Sequence, residues 1–256
     1  MNQIVRYPLL VFVVGLVTLW LSTQIGLAFR KRRRHPEEAE REDFGIVVAA
    51  TLTLLALIIG FSFSMASNRY DQRKNLEELE ANAIGTEYVR ADFLPAANAA
   101  RVRTLLASYL DQRVLFYETR DNLRLRQIDV ATVQLESNLW SAVQSPAAAQ
   151  PTSVTTGLAV SGMNDVLSSR GHTQGAWLNR IPMAAWGLMA TIAICCNLLV
   201  GYGTRRGEAR AMLLLILPFV LSISFALIAN IDSPRGGVVR VYPQNLVGLS
   251  QSLHGQ

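Results

Sequence analysis

The sequence predicts an all-α membrane protein: four transmembrane helices in two pairs, with a helical polar domain between helices two and three. Three observations predict it. Four runs, Pro8–Phe29, Phe44–Asn68, Ile181–Thr204 and Ala211–Ile231, each exceed twenty residues without one charged side chain. The 114 residues Ser67–Arg180 between the pairs are polar and balanced, with 12 Lys/Arg against 12 Asp/Glu. Their apolar residues recur at helical spacing. The expected division is residues 1–66 for the first pair and its basic loop, 67–180 for the extramembrane domain, 181–231 for the second pair and 232–256 for a tail.

Each span follows from its length. At about 1.5 Å rise per residue, roughly 20 residues cross a hydrocarbon core of about 30 Å. A helix satisfies its own backbone groups in lipid. Buried helices of a soluble protein are the alternative, and they rarely run this long without a charge. Span one is too long for a cleaved signal peptide and is followed by basic residues, so an uncleaved anchor is expected.

The chain carries a net charge of +5. The surplus lies in the flanks, above all in Arg30-Lys31-Arg32-Arg33-Arg34. Beside a span, such a run is a topology anchor near anionic headgroups rather than a nucleic-acid patch. Residues 30–43 and 203–210 hold six and three basic residues. The positive-inside rule puts both loops in the cytoplasm and leaves the domain and both termini outside. Expected partners are the lipid bilayer, inorganic ions and further copies of the chain, with no nucleic acid.

In the polar domain, Leu76, Leu79, Ala83, Ile84, Val89 and Phe93 form a stripe that ends at Leu94-Pro95. Arg101–Arg126 and Gln127–Val143 read as two further helices. Ser145–Pro151 reads as a loop on its prolines. Ser153–Leu167 reads as a last helix, with Arg170-Gly171 an exposed turn. No strand pattern stands out. Val238–Val241 reads as a short extended segment, and the rest of the tail is weakly patterned.

Catalytic chemistry finds no support. His35, His172 and His254 lack ligand-spaced partners, and the adjacent Cys195 and Cys196 lie inside span three, so no metal site, disulfide framework or cofactor is expected. There is no phosphate loop and no nucleophile elbow. Asp232 and Arg235 offer either a functional ion pair or a turn whose Asp accepts backbone hydrogen bonds, and the turn is the commoner case.

Span two is the informative helix. Thr53, Leu57, Gly60, Ser64 and Ser67 follow steps of four, three, four and three, which places them on one face bordered by Phe61. In one reading, Gly60-xxx-Ser64 lets a neighbouring helix approach closely. In the other, copies of this face surround a pore, with Phe61 and Leu57 as an apolar constriction. Arg69 and Arg73 lie just beyond, where a ring of arginines at a pore mouth concentrates anions. Their ordinary role is interfacial anchoring.

The run Gly60-Phe61-Ser62-Phe63-Ser64-Met65-Ala66-Ser67-Asn68-Arg69-Tyr70-Asp71-Gln72-Arg73-Lys74 resembles the second-span exit of bestrophins. Glu80–Thr86, Arg90–Pro95, Tyr109–Arg113 and Asp232–Gly236 resemble recurring pieces of the bacterial bestrophin-like domain family. The resemblance covers roughly Phe44 to the C-terminus. It implies a multi-pass protein of a bacterial inner membrane and a pentameric ion channel, with Phe61, Leu57 and Thr53 forming the neck of a pore lined by span two. Thr53 stands where that family's neck is bulky and apolar, Asp71 replaces an aromatic residue, and no acidic calcium clasp is seen. The resemblance also implies a cytosolic middle domain, against the charge rule. A non-conducting sensor or scaffold is the alternative function.

Overall fold

The computed structural model describes the backbone of residues 7–31, 38–204 and 208–255, and the side chains of 7–30, 43–204 and 214–255. Its elements are α1 (Pro8–Lys31), α2 (Glu38–Arg90), α3 (Ala96–Glu118), α4 (Asn122–Ala149), α5 (Val154–Leu178), α6 (Met183–Gly203), α7 (Glu208–Asp232) and α8 (Gln244–His254). A 3-10 turn, Ala91–Phe93, links α2 to α3. No strand occurs among the described residues. Four stretches, within Pro8–Arg30, Asp43–Phe93, Val154–Gly203 and Leu214–Asp232, are long and apolar enough to cross a membrane. Against the charge-free runs, these are α1, the first half of α2, α6 and α7. The basic residues Arg32, Arg33 and Arg34 lie outside the described residues.

The chain divides into two compact units, Met1–Tyr70 with Arg180–Arg240, and Asp71–Asn179 with Val241–Gln256. In the first, α1 packs on α6 and α7. Leu19, Leu55, Met189, Ala193, Cys196, Leu221, Phe225 and Ile228 form its core. Arg30 Nη1 donates to the carbonyls of Tyr202 at 3.4 Å and Gly203 at 2.8 Å. One member of the basic run thus caps the C-terminal end of α6, where the helix dipole favours a cation.

In the second unit, α3 packs on α4 and α8, and α4 on α5. Pro95 forces Leu94 into an extended conformation, ψ 159°, and so ends the first segment where the Leu94-Pro95 pair predicts. The next boundary differs from expectation. The break falls at Thr119–Asp121, not after Arg126, because Asp121 accepts a hydrogen bond from the Leu123 amide and starts α4 as its N-cap.

Two expected loops are helix. Pro146 lies inside α4, which continues to Ala149. The ring removes one intrahelical bond, but Ala147-Ala148-Ala149 has the best helix propensity and the ladder closes with Gln150 N to Pro146 O at 3.0 Å. Arg170 and Gly171 are interior to α5. Arg170 bridges Glu136 and Asp129 on α4, which holds this turn in register. No regular structure forms at Val238–Val241; the Val238 and Val239 amides donate instead to Asn230 Oδ1, at 2.6 and 3.1 Å.

The tail holds α8, which its composition did not reveal. Glu77 Oε1 accepts from the Leu246 amide at 2.9 Å, and Glu77 Oε2 from Asn245 Nδ2 at 2.7 Å. A carboxylate supplied by α2 therefore caps the N-terminus of α8, with Gly85 packed against Leu249 and Asp111 accepting from Ser250 Oγ farther along.

Candidate functional site

The membrane part of α2 has two unlike sides. Leu55, Ser62 and Ala66 are buried, and Leu52, Ile58 and Ile59 pack against the core beside them. At about 100° per residue these positions share one strip. Thr53, Leu57, Gly60 and Ser64 lie on the opposite side, flanked by Phe61, and all five are exposed. Leu57 is 53% and Phe61 64% accessible. A Cβ placed on Gly60 would meet nothing within 4 Å. Close approach of a helix of the same chain at Gly60-xxx-Ser64 is therefore not what this glycine serves.

The chemistry of this side is graded. Leu57 and Phe61 present an apolar band. Thr53 lies about 12 Å from Phe61 along the axis, and its hydroxyl donates back to the Ala49 carbonyl at 2.9 Å. That bond satisfies the donor inside the helix while leaving oxygen lone pairs outward.

Arg69 and Arg73 do not continue the exposed side. Their spacing from Leu55, Ser62 and Ala66 puts them on the packed strip. Arg69 Nη1 stands 3.6 Å from Asp232 Oδ1, and the Arg73 side chain is 1% exposed. Within one chain, Arg69 lies off the side of α2 that carries Phe61, and Asp232 stands beside it as a counter-charge.

Asp232 explains this placement. It is 1% exposed and takes the Ile181 amide on both carboxylate oxygens, at 3.1 and 3.2 Å. One buried carboxylate therefore joins the end of α7, the start of α6 and α2. It accepts a backbone hydrogen bond, as the turn reading expects, but from 51 residues away. The turn itself is held by Ser233 Oγ, which accepts from the Gly236 amide at 3.2 Å. Gly237 is required there, since a Cβ would fall 2.3 Å from the Asn230 carbonyl oxygen.

The second unit holds a buried polar cluster that single residues did not announce. Glu80 and Arg113 are paired by two hydrogen bonds at 0% and 1% side-chain exposure. Tyr117 and Thr173 hydroxyls donate to Glu80 Oε2 at 3.3 and 3.1 Å. The Arg113 guanidinium lies 4.5 Å from the Phe116 ring centroid. Burial pulls the Arg113 pKa down, and the charge and hydrogen bonds of Glu80 more than restore it. Such a saturated pair fixes structure rather than reacting. Among the described residues, no three His, Cys, Asp or Glu side chains gather to hold a metal ion.

Comparison with known proteins adds the family. A family model described as "Bestrophin-like domain" matches residues 10–246. No curated protein matches. Among solved structures, a bacterial bestrophin homolog from Klebsiella pneumoniae superposes as two point variants with TM-scores of 0.65 and 0.66, each at 15% identity over 96% of this chain and 99% of that one. The same homolog solved by zinc phasing gives 0.63, at 15% identity over 93% of this chain and 98% of that one. At such identity the likeness is one of fold. With four apolar helices of spanning length, the chain is a multi-pass membrane protein.

Proposed function

This chain belongs to the family defined by the Bestrophin-like domain, and from that premise we propose that it is a homopentameric ion channel of a bacterial inner membrane whose pore is lined by α2. The observation that carries this reading is the side of α2 bearing Thr53, Leu57, Gly60, Phe61 and Ser64. It points away from its own chain's core. In an oligomer it meets copies of itself around an axis. Leu57 and Phe61 then form an apolar neck that gates by dewetting, with Thr53 and Ser64 hydroxyls wetting its two ends. Anion-favouring permeation, the selectivity expected from the sequence, rests on Arg69, whose charge Asp232 partly offsets. The proposal is conduction, and the reversal potential in a salt gradient assigns the ion.

Purified protein in planar bilayers should give single-channel currents, and Phe61→Ala should raise unitary conductance severalfold by widening the neck. Native mass measurement should count five subunits. A silent protein across salt and voltage would make the chain a non-conducting scaffold. Currents indifferent to Phe61→Ala and Leu57→Ala would move the pore elsewhere.

The charge pattern also orients the chain. Ser145 is exposed near the end of α4, and Arg30–Arg34 places that end outside the cytoplasm. In a background lacking Cys195 and Cys196, a cysteine at position 145 should react with a membrane-impermeant maleimide added to the outer face. Labelling only after permeabilisation would reverse this orientation and leave the channel proposal standing.

A further inference from the structure

Glu87 is a buried carboxyl that takes no part in the Glu80–Arg113 pair or in the cap of α8. Its side chain is 0% exposed. Neither oxygen has a hydrogen-bond partner among the described residues. Buried carboxylates are otherwise paired or hydrogen-bonded, because desolvating a charge costs several kcal/mol. Glu87 also lies outside the membrane part of α2, nineteen residues beyond Asn68.

Its surroundings are built around Gly162 of α5. A Cβ on that residue would fall 2.1 Å from Glu87 Oε2 and 2.7 Å from Arg90 Nη1. No glycine among the described residues has a positive φ, so Gly162 is not needed for its backbone conformation. It is needed for the space that the Glu87 and Arg90 head groups fill. The charges bearing on the carboxyl are Arg90, one turn on along α2, and Asp165, one turn on along α5. Asp92, in the turn after α2, is engaged with Arg103 instead.

We propose that Glu87 is a proton-operated latch between α2 and α5: the neutral carboxyl closes over Gly162, and ionisation drives it out of the contact and loosens α5. The energetics agree with the geometry. Burial, opposed by Arg90 and aided by Asp165, pushes the carboxyl from an ordinary 4.5 up to about 8. The folded chain then holds this proton more tightly than the unfolded chain does. The contact is fully stable below the ordinary carboxyl range and weakens as pH rises toward about 8. The ligand sensed is the proton, and nothing in the latch requires α2 to line a pore.

The test is an infrared titration of the full-length protein in detergent, read against Glu87→Gln. A protonated-carboxyl band should be present at neutral pH, vanish near pH 8 and be missing in the variant. Hydrogen exchange of residues 154–178, corrected for intrinsic rates, should accelerate by roughly tenfold per pH unit between the ordinary carboxyl range and about 8 and level off above it. Glu87→Gln should abolish that acceleration. Gly162→Ala should evict the carboxyl and move the band's loss to acid pH, which keeps the question open to measurement if Glu87→Gln does not fold. A Glu87 that is ionised at neutral pH sinks the proposal. So does a band that titrates while exchange in α5 stays flat.

Discussion

Glu80→Leu is expected to destabilise the extramembrane unit by about 3–5 kcal/mol, the cost of leaving one member of a buried pair without the other. Glu80 and Arg113 have almost no exposed side chain, so water cannot replace the lost partner. The two single changes are not equivalent. A carboxylate left alone can bind a proton and become neutral, whereas a guanidinium cannot shed its charge. Arg113→Met should therefore cost less than Glu80→Leu, and its deficit should shrink as pH falls.

The double variant, Glu80→Leu with Arg113→Met, should recover much of the loss, since well-packed apolar groups often replace a buried pair at little cost. Trp177 reports on the site, because its ring lies 5.1 Å from Phe116 and 5.4 Å from Tyr117. Thermal unfolding in detergent followed by Trp177 fluorescence measures all three variants. Additive losses in the double variant would mean that the pair is not coupled.

The same pair marks what the sequence made legible. Glu80 begins one of the recurring pieces identified by resemblance and Arg113 ends another, and the fold brings these two ends together. Gly85 of the first piece packs on Leu249, and Asp111 of the second bonds Ser250, so both pieces also hold α8. Motif recognition located these residues without saying that they meet, because spacing within a segment carries no information on which distant segment it touches. The helices of the spans were readable because their length and lack of charge are local. So was the unpacked side of α2, whose residues fall at three- and four-residue steps.

The errors have equally local causes. Pro146 predicts a loop and Arg170-Gly171 an exposed turn, yet an alanine run and two ion pairs outweigh them. Asp121 is a residue type that starts helices, but it lies inside the segment Arg101–Arg126 that reads as one helix. The placement of Arg69 depended on Asp232, far along the chain, and no periodicity in span two reveals such a partner.

Gly201→Val is expected to have the largest effect in the membrane unit, because α1 and α6 touch backbone to backbone there. A Cβ on Gly201 would fall 2.2 Å from the Thr23 carbonyl oxygen, and one on Gly26 would fall 2.2 Å from the Leu198 carbonyl oxygen and 2.9 Å from the Tyr202 nitrogen. The two glycines act reciprocally, each admitting the other helix. Backbone atoms cannot swing aside as a flexible side chain does, so even alanine forces the helices apart. In lipid, helix association rests on close packing and interhelical hydrogen bonds rather than on the hydrophobic effect. Separation would also strain the 3.3 Å contact between the Thr23 hydroxyl and Asn197 Oδ1, and the Arg30 cap on the Gly203 carbonyl.

Overpacking costs about 1–3 kcal/mol where neighbours can relax. Gly201→Ala and Gly26→Ala should reach the upper end of that range, and Gly201→Val should exceed it. Gly187→Ala, on the same helix with nothing within 4 Å, is the control and should leave stability unchanged. Melting of the detergent-solubilised protein by size-exclusion chromatography after heating separates the cases. Equal midpoints for Gly187→Ala and Gly201→Ala would show that α1 and α6 do not cross in contact at this pair.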